Sequence, residues 1–188
     1  MKTIKLLTYF LAGSILLTSC SDDDDDGIEP VNPEEVITDV TLKFTDSDGM
    51  SKTYTYTDPL YREDSYVDPQ IMLDADMSYD VEVSFLNNSN PDDPENVTEE
   101  VIEEKDEHFV EYAFVTANVT LTRASDDITD SNDVKIGIFT DWASGAASEG
   151  TVQVTLIHEP ESKDTSNPNG SHTGGEVDVE VPFAITIQ

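Results

Sequence analysis

The chain has 188 residues, of which 41 are Asp or Glu against 9 Lys or Arg, giving a formal net charge of −32. A surface of that sign repels phosphate backbones and anionic headgroups, which excludes nucleic acid as a partner and leaves membrane contact to apolar or covalent means. The single cysteine excludes an internal disulfide and a thiolate metal centre.

Lys2 and Lys5, an apolar run over residues 6–17 and then Leu17-Thr18-Ser19-Cys20 form a secretory leader of bacterial lipoprotein type. The run is too short to span a bilayer, which takes about 20 apolar residues. Residues 1–19 are thus expected to be a signal peptide and Cys20 the lipidated first residue. Its acyl chains would hold the protein on a membrane at about 0.8 kcal/mol per buried CH2. Ser21 is followed by Asp22, Asp23, Asp24, Asp25 and Asp26. Such a block of like charge stays extended and solvated, and after a lipidated cysteine it resembles the surface-export signal of Bacteroidetes lipoproteins. The expected location is the outer membrane with the domain at the cell surface; a periplasm-facing anchor is the alternative. Pro30 and Pro33 with no periodicity extend the tether, so that residues 20–35 link the anchor to one domain over residues 36–188.

Strand chemistry then dominates. Residues 36–45 alternate Ile37, Val40, Leu42 and Phe44 with polar neighbours, Asp46-Ser47-Asp48-Gly49 turns the chain, and residues 53–57 alternate Thr and Tyr. This is a hairpin pattern. Residues 67–73 form a further short strand, and residues 79–85 alternate cleanly enough for one buried face. After a loop over residues 87–94 the period changes. Asn96 is placed to cap a helix with Val97, Val101 and Ile102 on one side and acids elsewhere, ending near Glu107. Asp106 and Glu107 then meet the negative end of the helix dipole, at a cost of about 0.3 to 1 kcal/mol each that a cation nearby would offset. Strands return at 109–115, 119–122, 134–139, 151–158 and 176–187, with Pro182 marking an edge or bulge in the last. About eight short strands and one minor helix predict an all-β fold, a single immunoglobulin-like antiparallel β-sandwich.

The leader, the helix Thr98-Glu99-Glu100-Val101-Ile102-Glu103-Glu104 running into Glu107-His108, the strand leading to His158-Glu159-Pro160, and the ending Gly174-Gly175-Glu176-Val177-Asp178-Val179 resemble a family of small Bacteroidetes lipoproteins. Its members often carry the label "type 1 periplasmic binding fold superfamily protein". The resemblance covers nearly the whole mature chain but departs at Phe109-Val110-Glu111-Tyr112 and at Ile157, where the family usually has an aromatic run and an arginine. The label implies a two-lobed α/β fold, whereas the length and the missing strand-helix alternation of this chain point to the sandwich. No substrate follows from the resemblance.

Complete catalytic motifs are absent: there is no Gly-x-Ser-x-Gly elbow and no His-Glu-x-x-His pair, so a binding protein is expected rather than an enzyme. Asp46-Ser47-Asp48-Gly49 lacks the third acidic ligand and distal glutamate of a calcium loop and reads as a solvated hairpin tip. Neutral imidazoles and carboxylates suit zinc, which makes His108 and His158 with Glu104 or Glu107 the candidate site for a divalent cation. Sequence does not place His158 near the others, and exposed strand-end histidines are the alternative. His172, in a Gly, Ser and Asn-rich loop, is a bystander. Tyr54, Tyr56, Tyr61, Tyr66 and Trp142 could form a sugar-stacking face, although core packing explains them equally. The leading expectation is a ligand-capturing accessory lipoprotein that works with a TonB-dependent outer-membrane transporter, its ligand a divalent metal ion. The alternatives are a structural or adhesive surface module and a glycan-binding lipoprotein.

Overall fold

A computed structural model describes residues 36–188. The expectations for Cys20, for Ser21 and the aspartate run, and for the tether lie outside the described residues. Eleven strands and one helix follow in the order β1 (Asp39–Asp46), β2 (Ser51–Thr57), β3 (Gln70–Leu73), β4 (Ser78–Leu86), α1 (Val97–Glu103), β5 (His108–Val115), β6 (Val119–Arg123), β7 (Phe139–Ser144), β8 (Ser148–His158), β9 (Ser162–Asp164), β10 (Ser171–Thr173) and β11 (Glu176–Ile187). One sheet has the order β2-β1-β4-β7-β6 and the other β3-β11-β8-β5, with β9 and β10 as a separate hairpin. The fold is an all-β sandwich. One pairing departs from the antiparallel expectation, because the short β3 lies parallel to β11.

Period-two alternation builds the core. Val40, Leu42 and Phe44 of β1 and Val81, Val83 and Phe85 of β4 face Val152, Val154 and Leu156 of β8 and Val181, Phe183 and Ile185 of β11, all buried in one cluster. Trp142 is fully enclosed among them, with edge-on rings of Phe44, Tyr112 and Phe114 at 5.1, 5.9 and 4.9 Å. Its indole N–H donates to Thr140 Oγ1 at 2.8 Å. Such enclosure removes Trp142 from any sugar-stacking face. The turn at residues 46–49 is a hairpin tip in which the Asp46 carboxylate accepts the N–H groups of Asp48 and Met50.

Three local expectations are corrected. Residues 134–138 are not a strand; Ile136 and Ile138 are buried in a loop stitched by a side chain. The Asp127 carboxylate accepts the N–H groups of Ile128, Gly137 and Phe139, and the Tyr112 hydroxyl donates to the Gly137 carbonyl. Gly137 itself has φ +97°, and a Cβ there would run into the Arg123 guanidinium. The stretch after His158 is not all loop, since β9 and β10 pair there. Finally, α1 ends at Glu103 rather than near Glu107, and Asn96 gives its side-chain N–H to the Glu99 carboxylate instead of accepting from the helix backbone. Residues 104–107 form turns that deliver the chain straight into β5.

Candidate metal centre

β5 and β8 pair antiparallel with His108 directly opposite His158 at the end of the ladder. In the same register Val110 faces Leu156, Tyr112 faces Val154 and Phe114 faces Val152. Two-residue periodicity therefore puts both histidines on the core side of the sheet, extending the apolar stripe to its end. Their rings stack with centroids 4.8 Å apart and an angle of 8° between planes. The His108 side chain is wholly buried, and that of His158 is 13% exposed.

A β-bulge supplies the third group. Val177 of β11 pairs with Ile157 and Val179 with Leu156, which leaves Asp178 as an extra residue. The inward positions of β11 are Val181, Phe183, Ile185 and Ile187, so strict alternation would send Asp178 outward with Glu176 and Glu180. The bulge reverses this and turns the carboxylate into the interior, where its side chain is 1% exposed. Its Oδ1 lies 3.7 Å from His158 Nδ1 and its Oδ2 3.9 Å from His108 Nε2. Both separations exceed hydrogen-bond length. Both are a few tenths of an ångström wider than the roughly 3.4 Å between two donors on a tetrahedral zinc ion bound at about 2.0 to 2.2 Å. One donor atom from each of the three residues lies within 4.8 Å of the others, so the three side chains draw together on ligation.

Protonation favours a ligand role. His108 Nδ1 is 3.2 Å from the Glu104 carbonyl, and because a carbonyl only accepts, Nδ1 carries the hydrogen and Nε2 keeps its lone pair toward Asp178. Burial lowers the pKa of His108 from 6.5 to about 4; the hydrogen bond to Glu104 opposes this, while His158 and Lys163 add to it. The ring is neutral at physiological pH. Glu104 has one carboxylate oxygen buried with no hydrogen-bond partner among the described residues. Its pKa is raised, first by burial and then by the charges of Glu107 and Glu100, with His158 pulling the other way.

Of the residues singled out from sequence, His108 and His158 meet, and Glu107 Oε2 approaches the outer nitrogen of His158, Nε2, at 4.0 Å. Glu104 contributes its backbone carbonyl, with its carboxylate close enough for His158 to act on its pKa. Asp178 was missed, since only the bulge distinguishes it from its acidic neighbours. Glu159 was missed as well, and forms a second group of donors with Glu107 and His158. His172 stands apart, paired through Nδ1 with Glu111 Oε1 at 2.6 Å.

The segment carrying the centre is braced from outside. Lys163 of β9 donates to the Lys105 carbonyl at 2.7 Å and pairs with Asp130 at 3.2 Å. A cavity of about 220 Å³ has Asp178 in its lining, together with Tyr56, Asp58 and Glu180. Comparison with protein-family models, curated proteins and solved structures finds no match to this chain.

Proposed function

We propose that the domain captures a divalent transition-metal ion, zinc being the best chemical match, at His108, His158 and Asp178. The observation that carries this reading is the bulge that turns Asp178 onto a cross-strand pair of core-facing histidines. Two imidazoles and one carboxylate form a zinc-type donor set that leaves a fourth position for water, whereas calcium and magnesium favour all-oxygen shells. An ion here would bring positive charge to the buried carboxylates and to the acids that follow α1. The acidic surface raises the local concentration of cations in front of it.

In this reading Cys20 anchors the protein in the outer membrane and the acidic segment after it directs the domain to the cell surface. There the domain serves a TonB-dependent transporter as a capture module, binding its ligand rather than transforming it. The test is elemental analysis of protein purified without chelator, combined with melting in the presence of zinc. Zinc near one equivalent and a melting temperature that rises with the logarithm of zinc concentration are expected. Asp178→Asn and a His108→Ala, His158→Ala double variant should lose the rise. An unchanged melting temperature across micromolar zinc, or equal shifts in wild type and variants, counts against the proposal.

A further inference from the structure

The two donor groups share one residue, and they share it through opposite nitrogens. His158 Nδ1 faces Asp178 at 3.7 Å in the buried group, while Nε2 faces Glu107 at 4.0 Å in the outer group with Glu159. Nε2 is itself buried and has no hydrogen-bond partner among the described residues. The outer group is held by the backbone: the Glu159 N–H donates to the Glu107 carbonyl at 2.6 Å, and Glu159 takes a left-handed φ of +48° as the chain leaves β8. Exposure falls along the line from 54% at the Glu107 side chain through 13% at His158 to 1% at Asp178.

We propose that Glu107, Glu159 and His158 Nε2 form a solvent-facing loading station for divalent transition-metal ions, from which the ion passes to the buried centre around the same imidazole. This rests on the buried centre taking a cation as argued above. A neutral imidazole has one lone pair, so it serves one group at a time. With the ion on Nε2 the proton sits on Nδ1 and faces Asp178; with the ion on Nδ1 the proton sits on Nε2 and faces Glu107. Transfer inward therefore exchanges the two, the proton leaving Nδ1 and a proton returning to Nε2, with no net change in the protonation of His158. The outer group, with two solvated carboxylates and one imidazole, exchanges its ion readily, while the inner group offers two imidazoles and a buried carboxylate and retains it. One ion per chain follows from the shared ligand.

The experiment uses cobalt(II) as the probe, with uptake followed by visible absorption after rapid mixing. Glu107→Gln combined with Glu159→Gln keeps the shape of the outer group and removes its charge. Uptake should slow roughly tenfold, as expected when a local steering charge is lost, while the final spectrum and the stoichiometry of one cobalt per chain stay as in the wild type. Asp48→Asn with Asp74→Asn removes the same charge from two exposed positions at the opposite end of the strands, past Asp46 of β1 and past Leu73 beside Ile187 of β11, and should keep the wild-type rate. An unchanged rate in the Glu107, Glu159 variant, an equal slowing in the control, or two cobalt ions per wild-type chain would overturn the loading station and leave the buried centre standing. No uptake by the wild type would overturn the centre itself, and the station with it.

Discussion

Lys163→Met tests whether the brace behind the histidine segment is a buried ion pair or a solvated one. The side chains of Lys163 and Asp130 are 5% and 3% exposed with nitrogen and oxygen 3.2 Å apart. Asp130 cannot carry its charge elsewhere, because its other oxygen accepts the N–H groups of Asn132 and Val134. At 3.2 Å and an effective dielectric constant of about 20, the attraction is roughly 5 kcal/mol, offset by a desolvation cost of several kcal/mol per ion. Removing only the ammonium leaves the carboxylate buried without its counter-charge, for an expected loss of about 3 to 5 kcal/mol. At about 2 to 4 °C per kcal/mol for a domain of this size, melting should fall by roughly 6 to 20 °C. Urea unfolding followed by the fluorescence of Trp142, the one tryptophan of the chain, gives the free energy directly. A second variant, Lys163→Met with Asp130→Asn, removes both charges and should recover part of the loss. A loss below about 1 kcal/mol, the range of a surface pair, would refute the argument. So would a double variant no more stable than the single one.

Asp127→Asn should destabilise the domain by about 1 to 3 kcal/mol, because one of the two oxygens that accept the Ile128, Gly137 and Phe139 N–H groups becomes a donor facing donors; urea unfolding that matches the wild type would contradict this. Asp141 lies opposite Asp80 in the β4-β7 ladder, and its pKa is raised by burial first and then by the charges of Asp80 and Asp126. Between the ordinary carboxyl pKa and this raised one the folded state binds more proton than the unfolded, so wild-type stability from this group rises as pH falls through that window and is lost as pH climbs above it. Asp141→Asn should therefore be more stable than wild type at pH 7, with the gain shrinking near pH 4. Equal differences at both pH values would show that the crowding of carboxylates has no effect.

Most of the sandwich could be read from alternation, because β1 and β4 bury one face and keep the other polar, and β8 and β11 do so over most of their length, whereas β5 also buries Phe109 on its outer face. Ile136 and Ile138 misled for a physical reason: their apolar spacing suits a strand, but Ile136 donates to the Ile128 carbonyl and accepts from the Val110 N–H, Ile138 accepts from the Val83 N–H, and Asp127 and Tyr112 satisfy Gly137 and Phe139, so single bonds replace a ladder. The β9-β10 hairpin was hidden in a polar stretch whose few residues per strand carry no period. At the candidate centre the two histidines were visible as strand ends flanked by acids, while their meeting depends on long-range register, which local pattern does not encode. Asp178 was illegible for the opposite reason. In Glu176-Val177-Asp178-Val179-Glu180 it has the parity of a solvent-facing acid, and only pairing with β8 reveals that the ladder skips it.

The central claim is that His108, His158 and Asp178 ligate one ion together, and X-ray absorption at the zinc edge of protein loaded with one equivalent tests it most directly. The account predicts a low-coordinate shell of nitrogen and oxygen at about 2.0 to 2.2 Å, with the multiple-scattering signature of two imidazoles that falls to one in His108→Ala and a shell that changes in Asp178→Asn. A shell of oxygens alone, or a spectrum indifferent to both substitutions, would contradict it.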